Sequence, residues 1–316
     1  MKKIHHLIAI TFLVLLCCTT LFSCAEREED GSGISYFSFT DSSNYTVTLR
    51  NKPQRVAVLF SSLADLWQIA GGNVAITVGE SVERKICGAD VLLVDAGAGK
   101  TIDTERLISY QPDFVIGSLD IVAHQRVAQV LRDADICVAL FRVEQFSDYL
   151  KTLDIMTDIT GQKARYEQYG VQIQQKIDAL LHNTPDDSKT KILFVRAGTS
   201  ARATKAKTAK EHFACQMLNE LGAYNIAENA PILLDGLSIE EILRENPTHI
   251  FITTMGNAAD ATAYMMELLQ SDVWQGLDAV KSENVHFLSK ELFQFKPNAR
   301  WYEAYLTLAE ILYETE

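Results

Sequence analysis

Five basic residues, Arg196, Arg202, Lys205, Lys207 and Lys210, occur in close succession with no acid among them before Glu211. In a chain with 29 Lys+Arg against 41 Asp+Glu, and so a net charge of −12, that concentration is a local exception. Bases collected on one loop suit an anionic ligand, although a solvated charge run produces the same pattern. Gly198-Thr199-Ser200 and the small Ala residues around them suggest a loop shaped for close approach. The loop begins where a predicted strand ends, which is where open α/β sheets bind ligands. A second group is Phe293, Phe295, Lys296 and Arg300, within Glu291–Trp301. Aromatics with bases suit the wall of a cleft for a large, partly aromatic anion. The same residues also suit packing, with Phe293 and Phe295 in the core and Trp301 capping a final helix.

Other familiar chemistries are poorly served. Val94-Asp95-Ala96-Gly97-Ala98-Gly99-Lys100-Thr101 resembles a phosphate loop, but Val94 stands where the pattern requires its first Gly. The helix that follows is capped at Asp103 rather than opening at Lys100-Thr101. Neither G-x-S-x-G nor H-E-x-x-H occurs, and no catalytic constellation is visible, so an enzyme is not expected. His124, His182, His212, His249 and His286 are scattered without i, i+4 pairing, so no metal set and no cofactor is expected. The acidic balance argues against nucleic acid, because neutralising phosphates requires excess Lys and Arg. With 47% hydrophobic residues, 16 Gly and 6 Pro, low-complexity and collagen-like chains are excluded.

The N-terminus predicts export. Lys2 and Lys3 precede an apolar run from Leu7 to Cys18, too short for a spanning helix. Leu21-Phe22-Ser23-Cys24 resembles a lipobox, with residues 1–23 as signal peptide and Cys24 as the lipidated mature N-terminus. Residues 24–33 form a polar tether. An ordinary signal peptide with Cys24 near its cleavage point is the alternative. Cleavage leaves 27 bases against 41 acids, a net charge of −14. Cys87, Cys137 and Cys215 then read as buried small hydrophobes, with room for one pair.

The elements that position these groups alternate. Tyr45–Leu49 and the turn residues Asp41-Ser42-Ser43-Asn44 predict a β-hairpin. Arg55–Phe60 is a continuous apolar run, as in a strand buried on both faces, and a helix over Leu63–Ala70 follows. Strands over Ala75–Gly79, Val91–Val94, Phe114–Ser118 and Ile136–Phe141 complete a first α/β lobe, 34–142. Residues 143–187 are a helical connector, with Gln162–His182 long enough for a helix of about 30 Å. A second α/β lobe, 188–316, has strands at Lys191–Arg196, His249–Thr254 and Val285–Leu288.

The two lobes share a design. Ile102–Ile116 repeats as Leu237–Phe251 at a constant offset, pairing Asp103 with Ser238, Glu105 with Glu240 and Pro112 with Pro247. Each copy predicts a capped helix, a Pro break and a buried strand, and Ser238 with Glu241 predicts a capping box. A Glu in the first helical turn gains from the macrodipole by about 0.3–1 kcal/mol, so Glu105 and Glu240 need no partner on that ground alone.

Taken in order, Pro53–Ser62, Ile102–Ile116 with Gln111-Pro112-Asp113, the connector, Leu237–Ile252, Trp274–Leu288 and Leu292–Trp301 resemble solute-binding lipoproteins of ABC transporters. The resemblance is to the siderophore, haem and cobalamin group, the class III periplasmic binding proteins. It implies an α/β fold of two Rossmann-like lobes joined by a single long rigid helix, with a ligand cleft between them. It also implies that Glu105 and Glu240 dock onto basic residues of a membrane permease. The loops after Phe60, Gly79, Val94, Ser118, Arg196 and Leu288 would face the cleft. Ser61, Ser62, Glu80, Asp95, Asp120, Arg196, Lys205, Lys207, Met255, Phe293, Phe295, Lys296 and Arg300 are therefore expected as ligand-binding residues. The implied function is capture of an iron complex, a ferric siderophore or haem, by a monomer lipid-anchored outside the cytoplasm. Cobalamin, another solute such as a free metal ion, or an exported enzyme on the same fold remain alternatives.

Overall fold

Continuous apolar runs become strands buried on both faces. In the computed structural model, which describes residues 35–95, 101–185 and 190–313, they build two parallel sheets. The predicted signal peptide, Cys24, the tether, the Gly-rich part of the phosphate-loop-like run and the start of the second lobe at 188 lie outside the described residues.

The hairpin forms as expected. Strands β1 (Phe37–Thr40) and β2 (Thr46–Leu49) pair antiparallel. Asp41 Oδ1 accepts from Ser43 N and Tyr45 N, and Asn44 takes the left-handed conformation the turn needs (φ 62°). The first sheet contains β3 (Val56–Val58), β4 (Ile76–Thr77), β5 (Leu92–Leu93), β6 (Phe114–Ser118) and β7 (Val138–Phe141), in the order β5-β4-β3-β6-β7. Helices α1 (Ser61–Ile69), α2 (Gly79–Glu83), α3 (Thr104–Ser109) and α4 (Val122–Asp133) connect these strands. The order reverses at β3, so the loops after β3 and β6 open a crevice beyond the strand ends.

Between the sheets lie α5 (Phe146–Thr160) and a second helical run over 163–182. The cap Gln145 and Asp148 form a reciprocal capping box at the start of α5. Gly161 ends it in the left-handed region (φ 72°), where a side chain would be strained. The second run comprises α6 (Lys163–Tyr166), a π turn at Glu167–Val171 and α7 (Gln172–His182).

The second sheet has the order β10-β8-β11-β12, from β8 (Lys191–Ala197), β10 (Tyr224–Asn225), β11 (His249–Thr254) and β12 (Val285–Phe287). A short β9 (Lys205–Ala206) pairs antiparallel with β8. Its helices are α8 (Phe213–Glu220), α9 (Ile232–Asp235), α10 (Ile239–Glu245), α11 (Ala258–Gln270), α12 (Asp278–Lys281), α13 (Lys290–Phe293) and α14 (Trp301–Tyr313). No described helix is long and apolar enough to cross a membrane.

The internal repeat is realised as α3–β6 and α10–β11, with one correction. Asp103 caps α3 by accepting from Arg106 N, but the Ser238 side chain makes no capping bond to α10. Glu241 pairs instead with Arg244, so the predicted capping box does not form. Cys87, Cys137 and Cys215 are all free thiols.

One continuous apolar cluster joins the lobes. It includes Trp67 and Phe114 from the first, Phe194 and Phe213 from the second, and Tyr149 and Trp301 between them. Trp301 presents its edge or face to Phe146, Phe213 and Tyr149, with ring centroids 5.6–6.4 Å apart. Its indole is therefore core, not a helix cap. Burying such a side chain stabilises by about 1.5–3 kcal/mol or more.

Candidate functional site

The C-terminal ends of the central strands carry the site. In the parallel register of β8 and β11, Arg196 faces Thr253. Their side chains line a cavity of about 260 Å³ together with Lys210, Glu211, His212, Phe213, Met255, Gln294 and Lys296. Glu144 and Gln145, ahead of α5, close its other side. A neighbouring cavity of about 240 Å³ is lined by Phe60, Ser62, Leu63, Ser118, Asp120, Phe141 and Asn298 from the first lobe side. Glu144 and Lys296 line both, so the two cavities form the halves of one interlobe cleft.

Electrostatics distinguish the halves. Burial, and then the positive charges of Lys296, Arg196 and Lys207, push the His212 imidazole down to about 3, so it is neutral. Its Nδ1 accepts from Ala214 N, which orients the ring at the start of α8. Burial also lowers the Lys296 ammonium, against the opposing pull of Glu144, Asp120 and Asp148. Lys296 lies 4.8 Å from the centroid of the Phe213 ring, a cation–π contact. Arg196 Nε, Thr253 Oγ1 and Gln294 Oε1 are buried without a hydrogen-bond partner among the described residues, and all three line the same cavity.

The residues singled out from sequence divide into three groups. Arg196, Met255 and Lys296 meet in the cavity of the second lobe, and Ser62, Asp120 and Lys296 in that of the first. Asp120 is ion-paired to Arg142 at 2.6 Å. Ser61, Ser62, Glu80 and Phe295 gather around Arg84. Its guanidinium donates to Ser61 Oγ (2.9 Å) and Ser62 Oγ (3.3 Å), while Ser61 donates to Glu80.

The remaining residues are engaged elsewhere. Asp95 accepts from Gly79 N through both oxygens at 3.0 Å, holding the start of α2. Lys205 lies on β9 beside Arg196, outside both cavity linings, and buried Lys207 pairs with Glu211 at 3.1 Å. Phe293 is core, and Arg300 pairs with Glu303 on the exposed face of α14. Glu105 and Glu240 are both exposed in the first turns of their helices.

Arg84, Glu144, His212, Thr253, Gln294 and Asn298 were not singled out. Thr253 had a usable signal, since it stands at the end of a predicted strand. Gln294 sits between the two phenylalanines that were considered.

A larger groove of about 610 Å³ lies behind the hairpin, lined by residues such as Tyr45, Lys52, Asp113 and Arg132. Its polar groups are largely committed. Lys52 donates to Thr160 O, Asp113 accepts from Gln54 N and Arg55 N, and Arg132 pairs with Asp41 and stacks on Tyr45. The interlobe cleft, with three buried polar atoms unmet among the described residues against Arg132 Nε alone in the groove, is the better candidate despite its smaller volume.

Residues 56–292 match the sequence profile of the family described as "Periplasmic binding protein". The chain belongs to that family. A relative named "Cobalamin-binding protein", from Halobacterium salinarum, is 25% identical over 251 residues, or 78% of this chain. The match spans 66% of that relative's length, just under two thirds. Among solved structures, Staphylococcus aureus SirA complexed with staphyloferrin B has a TM-score of 0.65 at 20% identity, covering 88% of this chain and 97% of that one. S. aureus IsdE complexed with heme has a TM-score of 0.66 at 14% identity, covering 82% and 99%. At these identities the likeness shows the fold of this binding protein: two α/β lobes with a cleft at the strand ends.

Proposed function

We propose that this binding protein is the extracytoplasmic solute receptor of an ABC importer. It captures an iron complex, a ferric siderophore or haem, in the interlobe cleft and delivers it to a membrane permease. The observation that carries this reading is the cleft itself, where Arg196 and Lys296 stand without an ion pair among the described residues, beside Phe213 and Met255. Bases next to aromatic and thioether surface suit a large anion with apolar parts.

In this reading 34–142 and 188–316 are the lobes and 143–187 the connector. The helical run over 163–182 would restrict closure to small movements. Cys24 carries lipid and residues 24–33 tether a monomer, which raises its effective concentration near the permease. Exposed Glu105 and Glu240, one on each lobe, dock onto the permease. The name of the halobacterial relative, a cobalamin-binding protein, supports a second reading, in which cobalamin is the cargo.

Tryptophan fluorescence tests the reading, because Trp301 packs edge-on against Phe213, which lines the cleft. Titration with haem, ferric siderophores and cobalamin should give saturable quenching by one of them. Failure of all three classes would overturn the proposal.

A further inference from the structure

Two cations at the second-lobe wall form no ion pair among the described residues. The Arg196 guanidinium has no ion pair or hydrogen bond among the described residues, and its Nε is buried. The Lys296 ammonium has no ion pair or hydrogen bond among the described residues and lies over the Phe213 ring face. Thr253, Arg196's register partner, has a buried hydroxyl that is likewise unmet. Leaving such groups unpaired away from water is costly, and a bound partner relieves that cost.

The charge balance favours an anion. Glu211 is already paired with Lys207, so with His212 neutral Arg196, Lys210 and Lys296 are set against Glu144 alone in this lining, and the wall is net positive. A planar carboxylate, which offers two oxygens to a guanidinium, answers this set. We infer that the ligand carries a carboxylate seated against Arg196 and Thr253, with Lys296 beside it and the Gln294 carboxamide meeting an adjacent polar group of the ligand. The inference rests on the proposed solute-binding role and narrows it to a carboxylate-bearing complex. The ligand is thereby oriented: its carboxylate end faces the second lobe, and the rest of its body faces Phe60, Ser62 and Asp120.

A binding cycle tests this directly. Haem, haem dimethyl ester, ferric citrate and cyanocobalamin are titrated against the full chain and its Arg196→Gln and Thr253→Val variants. Esterification removes the carboxylate charge and keeps the shape. Arg196→Gln should weaken a carboxylate-bearing ligand roughly ten- to a hundredfold, and Thr253→Val by less. The ester should bind the native protein about as weakly as the free acid binds Arg196→Gln, with no further loss in the variant. Thr253→Val, which removes an unmet buried hydroxyl, should fold normally even if Arg196→Gln does not.

Tight binding of cyanocobalamin or the ester that is unmoved by either variant would overturn the carboxylate subsite and leave the solute-binding role standing. If none of the four binds, the proposed cargo class fails. The subsite is then judged by citrate alone, with inorganic phosphate as the tetrahedral-oxyanion control. Citrate should raise the melting temperature only when Arg196 is present. A shift that is absent, independent of Arg196, or larger with phosphate would overturn the inference.

Discussion

Arg84 of the first lobe holds its guanidinium carbon 3.8 Å from the centroid of the Phe295 ring, in the segment after the last strand of the second. The same group donates to Ser61 and Ser62 and lies 3.7 Å from Glu291. One side chain thus ties the loop after β3 to the segment after β12, across the floor of the cleft.

Arg84→Met keeps the aliphatic stem and loses the charge. It should cost about 1–3 kcal/mol, combining a cation–π contact with hydrogen bonds to two buried hydroxyls. Glu291→Gln should change stability by less than about 0.5 kcal/mol, because Glu291 is mostly exposed. Urea unfolding midpoints check both. Equal effects would mean that the ion pair, rather than the ring and serine contacts, holds the crossing.

A second interlobe tie is Asn298, buried and left-handed (φ 51°), whose Nδ2 donates at 2.8 Å to Ser62 O and to Asp65 Oδ2. Burial lifts the Asp65 carboxyl above its ordinary range, against the pull of that hydrogen bond. Asn298→Ala loses both bonds and leaves a Cβ in the left-handed region without the short polar side chain that favours it there, at about 2–4 kcal/mol. Asn298→Gly loses the bonds too but also removes the Cβ from the left-handed region, and should be the milder change. Denaturation of the pair separates strain from hydrogen bonding, and a milder Ala variant would contradict the assignment.

Acid should destabilise the fold through buried histidine. His124 is fully buried, accepts from Ser118 N at Nδ1, and is pushed by burial down to about 4 from an ordinary 6.5. The unfolded chain therefore takes up the proton first. The stability this neutral imidazole contributes is complete above pH 6.5 and is lost as pH falls toward 4. Between pH 7.5 and 5 the loss is roughly 2 kcal/mol. His124→Asn, which retains an acceptor and cannot titrate, should reduce the fall in stability over that interval by this amount. An unchanged pH profile would contradict it.

The proposed docking by the two glutamates is separable from binding. Both are exposed and lie on α3 and α10, away from the cleft linings. Glu105→Lys with Glu240→Lys should abolish uptake into cells and leave solution affinity unchanged. Loss of affinity in the double variant would place the glutamates at the ligand site.

The sheets were readable because parallel strands buried on both faces require unbroken apolar runs, as in Arg55–Phe60 and His249–Thr254. Sequence offset also paired α3 with α10, yet the cap at Ser238 failed because nothing in the spacing decides which partner Glu241 prefers. The site was readable only in part. Arg196 and Lys296 were found as bases on loops at strand ends, whereas Lys207 and Arg300 matched the same rule and are paired with Glu211 and Glu303. Arg84 was invisible for a different reason. Its role depends on contacts with Phe295 and Glu291, far away in the chain, and no local pattern marks such a crossing.

The most direct test of the account is a structure determined with a bound ferric complex. The ligand should lie between Ser62 and Asp120 on one side and Arg196, Thr253 and Lys296 on the other. Ligand lodged in the groove behind the hairpin, beside Tyr45 and Arg132, would contradict the central claim.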